Sequence, residues 1–463
     1  MTLPASPAHP AALSAPPWRA LTLAVLPVFF TAPAFAHSTE RGLILLLPTG
    51  YYIAGAVLAV AASFLAAAFL PPARLRRAMA WRRPLPPLPH LPGRLASWAG
   101  FFLLALLVMA GFTGSRDPLS NPLPPVLWGL FWVGLPMAHA LGGNLWGAVN
   151  PWSGPAALLA GLARRCGRPL PRLRYPAWLG CWPAVALLFA FAWLELVDPA
   201  PRDPARLALM TLLWFLLNLT AMLLFGERRW LARGEAFALF FRLAARLAPL
   251  AFHVHGRRWR VTLRAPGAGL LRPARLPAGY AAFILLALAA VSFDGLSKTF
   301  FWLGLFGVNP LDYPGRSALM AMNGGGLAGT FLLLLALFRL SGLERGRLAL
   351  ALVPVAFGYH LAHYLTLFLL DAQYAWRALS DPFARGWDLF GASDGPVVVS
   401  FLSRHDSVEA IWTAQVVIIA IAHILAVLAE RAAGTRRFMP VRMFAILAWT
   451  AFGLWLLSTP AAG

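Results

Sequence analysis

The sequence predicts an all-α polytopic membrane helix bundle, and three observations carry that prediction. Hydrophobic residues make up 60% of the chain and charged residues only 12%. The apolar residues gather into long runs, of the length that crosses a hydrocarbon core of about 30 Å. The 39 Lys and Arg fall in short stretches between those runs, so the net charge of +22 reads as membrane orientation rather than a nucleic-acid surface.

In chain order, Arg19, an apolar stretch and "AFA" resemble a secretory leader with an A-x-A cut after Ala36, which would leave residues 37–463 as one polytopic domain. About ten apolar runs follow, over 45–70, 95–111, 122–141, 177–195, 206–225, 277–293, 317–338, 348–370, 408–429 and 443–459. With the mature N-terminus outside, the C-terminus also falls outside. The inner loops then carry 29 of the 39 basic residues and four of the 17 acidic ones, as a bacterial inner membrane requires. The 40 Pro and 39 Gly predict broken or re-entrant segments, which neighbouring helices can re-satisfy.

The largest inner loop, 226–276, is basic. Within it "EAFALFFRLAARLAPLAF" sets Phe, Leu and Ala against Arg242 and Arg246, the pattern of an interfacial helix. The alternating "HVHGRRWRVTLRAPG" predicts a small hairpin, whose His253 and His255 read as strand residues among arginines. "GGNLWGAVNPW" reads as a re-entrant or surface turn, with Asn for capping and Trp for the interface. "MNGGGLAG" predicts close helix contact or a break lining a cavity, and it lacks the lysine of a phosphate loop. With only two cysteines, Cys166 and Cys181, the sequence argues against a disulfide framework and a cysteine metal site.

Ionisable groups near hydrocarbon are costly, which makes them functional candidates. Glu195, Asp294 and Asp371 end apolar runs at the outer face, followed by "LSDPFARGWDLFG" with Asp381, Arg385, Trp387 and Asp388. His360 and His363 share one face of a predicted helix, with Tyr364 and Leu367 extending it towards Asp371. Imidazoles below carboxylates have the ligand types of a Zn, Mn or Fe site. Neutral core histidines are the competing reading, with a proton relay as the third. His139 and His423 lie nearer the inner face and could join His360 or serve packing. Copper is a further candidate, through the amine and imidazole of a mature amino-terminal His37 with His405.

Several phrases occur together: "GNLWGAVNPW", "YPAWLGCWPAVALLFAFAWLELV", "RGEAFALFFRLAARLAP", "SFDGLSKT", "AHYLTLFL", "LSDPFARGWDLFG", and the span from "IWTAQV" to "AHILAV". From about residue 37 onward they resemble the bacterial integral membrane family of fenitrothion hydrolases. The resemblance implies hydrolysis of organophosphate triesters and brings no assigned catalytic set with it.

An uncharged triester can reach a membrane enzyme from the bilayer. Water would then be activated by one or two divalent metals, with His360 and His363 as ligands, joined by Asp294 or Asp371 and by His139 or His423. Asp381 or Asp388 would serve as base or orienting group, and Arg385 would stabilise phosphoryl charge. Phe300, Phe301, Trp302, Trp376 and Trp387 would hold an aromatic leaving group. The other function classes are a proton- or metal-ion-coupled transporter using the same His and Asp, and a structural or assembly protein. The partners expected are the bilayer, a small lipophilic substrate and, for an oligomer, a second copy or another subunit, with no nucleic acid.

Overall fold

A computed structural model describes residues 49–89, 94–168, 170, 173–255, 258–271, 276–309, 315–340, 347–392, 395–432 and 439–458. These belong to one compact unit. The leader, its expected cut and His37 lie outside the described residues.

The chain is mostly helical. Its longer helices are α1 (Thr49–Phe69), α2 (Leu95–Thr113), α3 (Leu123–Gly142), α4 (Trp182–Leu196), α5 (Pro204–Phe225), α6 (Ala236–Ala244), α7 (Tyr280–Ser297), α8 (Arg316–Leu340), α9 (Arg347–His363), α10 (Leu365–Ser380), α11 (His405–Ala432) and α12 (Met439–Ser458). Among the described residues seven are long and apolar enough to cross a membrane, or eight if α9 and α10, bent by 58°, form one span. Within the expected run at 177–195, α4 is shorter than a span, whereas the run at 443–459 lies in the 20-residue α12. Before α4 the chain spends residues 177–181 on a turn closed by Gly180, whose φ of +51° suits glycine.

Helix α7 is buried along nearly its whole length and packs against α4, α8, α9 and α12. It is the centre of the bundle. By contrast α1, α2 and α8 leave Leu58, Leu65, Phe102, Met109, Leu332 and Leu333 exposed, an apolar surface of the kind lipid covers. Close contacts rest on glycine. A Cβ on Gly358 of α9 would stand 2.2 Å from Ala422 Cβ of α11, and one on Gly326 of α8 would meet Phe293 of α7. The second contact answers to the "MNGGGLAG" expectation.

The hairpin forms as predicted, with β3 (Leu250–His255) antiparallel to β4 (Arg258–Arg264). The Pro-rich 82–89 stretch adds β1 (Arg82–Pro84) and β2 (Leu88–Pro89) to the other edge of β4. The expected interfacial helix differs from its pattern. It is only nine residues, and every one except Arg242 is buried, packed on α3 and α4. Arg242 donates to the carbonyls of Leu231 and Ala232 rather than to water or lipid. Its charge is absorbed by backbone dipoles, which lets Phe237, Phe240 and Phe241 enter the core.

The "GGNLWGAVNPW" turn is mixed, with Asn144, Leu145 and Gly147 exposed. Trp146 and Trp152 are buried, and Asn150 Oδ1 accepts from the Ser153 N–H at the start of the helix Ser153–Arg165.

Candidate functional site

Within α3, residues Val126–Gly134 wind as π-helix before Pro136. Pro136 has no N–H to offer the Trp132 carbonyl four residues earlier. His360 Nε2–H fills that place, donating to Trp132 O at 2.8 Å. His360 is thus a buried histidine repairing a broken ladder. The same π segment lets α10 approach: a Cβ on Gly129 would lie 2.5 Å from Asp371 Cβ.

His363 has a different surrounding. It ends α9, and its Nε2 meets Asp294 Oδ2 of α7 at 2.8 Å. Asp294 Oδ1 takes Lys298 Nζ at 2.7 Å, one turn on, where the C-terminal end of α7 favours a cation. Asp294, ion-paired with Lys298, is an acceptor only, so His363 Nε2 carries a proton, and in the neutral ring Nδ1 is the open lone pair. That Nδ1 is buried without a partner.

Two more buried oxygens near the Asp294 charge have no partner, Glu195 Oε2 and the Tyr359 hydroxyl. The Tyr364 hydroxyl lies beside both Glu195 and Asp294. Glu195 Oε1 accepts from Trp132 Nε1 at 3.0 Å, and Arg316 holds the end of α4 through the Glu195 and Asp198 carbonyls. Buried polar atoms are seldom left unpaired, so this group outlines a place for water or a polar ligand.

The site lies where the helix breaks. The 58° bend between α9 and α10 falls at Tyr364. Neither Pro nor Gly stands there. Instead Gln415 of α11 donates Nε2–H to the Ala362 carbonyl at 2.8 Å, a side chain inserted into the ladder.

The other predicted site residues lie apart from this group. Asp371 is ion-paired with Arg202. His139 uses both nitrogens, Nδ1–H to Leu135 O and Nε2 from the Trp146 N–H, as a core histidine. His423 donates Nδ1–H to Ile419 O of its own helix. His405 opens α11 in an exposed position.

Asp381 accepts from the Arg385 and Gly386 N–H groups, and Asp388 from Ser380 Oγ and the Ala392 N–H. These two carboxylates shape their loop, and Arg385 lies over the Phe383 and Trp387 rings. Trp376 stacks on Phe390 in that exposed region, with Phe300 and Phe301 exposed elsewhere. Trp302 alone of the aromatic set borders the site, edge-on to Phe293 beside Asp294.

Compared with protein-family models, curated proteins and solved structures, the chain matches none.

Most donors of the expected metal set already have protein partners. Among the described residues no three His, Cys, Asp or Glu side chains gather as a metal-binding group. His360 and His363 direct their Nε2 atoms to different partners, Trp132 O and Asp294 Oδ2. The Lys298 ammonium already stands on Asp294 where a cation would bind. What the arrangement can do is hold and move a proton: a carboxylate-oriented imidazole with its second nitrogen open. Sequence reading had named Glu195 and Tyr364 without giving them a role, and it passed over Lys298, Gln415 and Trp132. Lys298 had a signal, since it stands four residues after Asp294 in "SFDGLSKT".

Proposed function

We propose that the chain is a multi-pass membrane hydrolase of uncharged lipophilic esters, phosphotriesters in the first place, with His363 as general base. The observation that carries this is the open, buried Nδ1 of an imidazole whose Nε2–H is held by Asp294. The sequence resemblance supplies the substrate class.

In this reading water sits between His363 Nδ1, Glu195 Oε2 and Tyr359. His363 removes its proton as oxygen attacks phosphorus, and the bond to the phenolate leaving group breaks. Asp294 positions the ring and offsets the imidazolium charge. The Lys298 ammonium and the Tyr364 hydroxyl supply donors to the phosphoryl oxygen. Trp302 and Phe293 offer aromatic surface to the leaving group, and the bilayer delivers the substrate. In this reading the membrane is the bacterial inner membrane with the site at its outer side, an orientation that the basic loops support.

Turnover of a nitrophenyl phosphotriester by the protein in liposomes tests the proposal. His363→Ala is expected to lower kcat by about a hundredfold or more, as loss of a general base does. Undiminished turnover in that variant sinks it. Metal analysis belongs beside the assay: near-stoichiometric metal lost on His363→Ala would return the reaction to a metal-assisted mechanism.

A second reading is a proton-coupled transporter. The 58° break at Tyr364 and a second carboxylate at the same hydroxyl favour it, since broken helices and paired acids carry coupled protons in membranes. Liposome proton flux abolished by Asp294→Asn, with no ester turnover in the wild type, would select it.

A further inference from the structure

At the far end of α4 and α5 from Glu195 lies an open groove of about 830 Å³, lined by Leu173, Arg174, Phe225, Glu227, Arg228 and Arg229 among others. A second hollow of about 320 Å³ adjoins it across the same Arg228 and Arg229, with Tyr175 and Arg233 on its wall. The floor is built by the chain's own turns. Leu173 N–H donates to Leu224 O at the end of α5, and Gly226, with φ of +86°, turns the chain into the helix Glu227–Arg233.

Four guanidinium groups face these hollows. Among the described residues no carboxylate pairs with Arg174, Arg228, Arg229 or Arg233, and the one acid present, Glu227, is held at 2.7 Å by Arg94. Four positive charges without counter-ions call for an anion. The groove opens at the end of an apolar span, and the strongly exposed Trp178 with the half-exposed Trp182 stand on the neighbouring turn. Exposed Trp at a span end marks headgroup depth. The walls carry apolar Leu173, Phe225 and Leu231, suited to the glycerol and upper acyl region.

We infer that this groove binds an anionic phospholipid with two phosphates, of the cardiolipin type. One phosphate lies in each hollow, and the Arg228–Arg229 pair stands between them. The site is separate from the His363 group and does not depend on its chemistry.

Native mass spectrometry of the full chain, extracted from liposomes holding equal cardiolipin, phosphatidylglycerol and phosphatidylcholine, provides the test. The wild type is expected to retain one cardiolipin per chain. Arg228→Gln/Arg229→Gln is expected to weaken retention at least tenfold, while Arg77→Gln/Arg83→Gln, which removes equal charge outside the groove, leaves it unchanged.

Equal retention of phosphatidylcholine would overturn the inference, as would equal loss in both double variants. Displacement by millimolar pyrophosphate as readily as by cardiolipin would assign the site to a soluble phosphate instead. Because the substituted arginines are exposed, a folding failure is readily separated by size-exclusion profile, and a single Arg229→Gln variant must then show the intermediate loss.

Discussion

His360 and His363, three residues apart on one helix, do unlike work, and their substitutions should differ accordingly. His360→Ala leaves the Trp132 carbonyl buried without a donor, at a cost of about 1–3 kcal/mol. It should lower the melting temperature in detergent while leaving the pH profile of turnover in place. His363→Ala should do the reverse, and a His360→Ala variant with unchanged stability would show that the Trp132 bond matters little. Glu235 offers a separate test outside the spans. It caps α6 through the Phe237 and Ala238 N–H groups, yet burial outweighs those bonds and pushes its carboxyl up to about 7. A folded-state value above the unfolded one means the folded state binds the extra proton. That stability is present below the unfolded value of about 4 to 5 and is lost as pH rises through about 7. The loss is of order 3 kcal/mol. Glu235→Gln should flatten the pH dependence of the melting temperature between pH 5 and 8, and an unaltered slope would show that the cap is ionised throughout.

At the scale of elements, the break between α9 and α10 positions His363, and Gln415 supplies the inserted bond. Gln415→Leu should cost about 1–3 kcal/mol through the unsatisfied Ala362 carbonyl and should reduce turnover with His363 still present. A variant of normal activity would separate the break from the chemistry. Packing is tested at Gly358. Gly358→Ala forces α9 from α11 and should destabilise by about 1–3 kcal/mol, read as a lower melting temperature. Much of this level was legible beforehand. Among the described residues each of the ten apolar runs contains a helix, the 250–264 hairpin forms, and Asp294 stands out in the sequence as an ionisable residue at a helix end. The interior fate of 236–244 was not legible. An amphipathic pattern reports which face is polar, and Arg242 could satisfy itself on carbonyls of residues 231 and 232 that only the fold brings near.

For the whole molecule, the basic loops predict that Cys166, exposed in the Arg-rich 164–174 stretch, faces the cytoplasm, while buried Cys181 is protected. A membrane-impermeant maleimide should label Cys166 in inverted vesicles and spare it in intact cells, and labelling from outside would reverse the orientation. Composition and run length by themselves determined a helical membrane bundle and the segments that compose it, because hydrocarbon demands long apolar helices wherever the chain crosses. They also determined which residues needed explaining, since each charge near lipid stands out against its neighbours. Only the tertiary structure decided which of those residues meet. His360 went to a carbonyl freed by Pro136, Asp371 to Arg202, and His363 to Asp294 with Lys298. These partners lie on separate helices, up to 228 positions apart in the chain. Depth along a helix can be counted from sequence, but the azimuth at which two helices face each other is set by packing, here by glycine contacts and a π-helical turn.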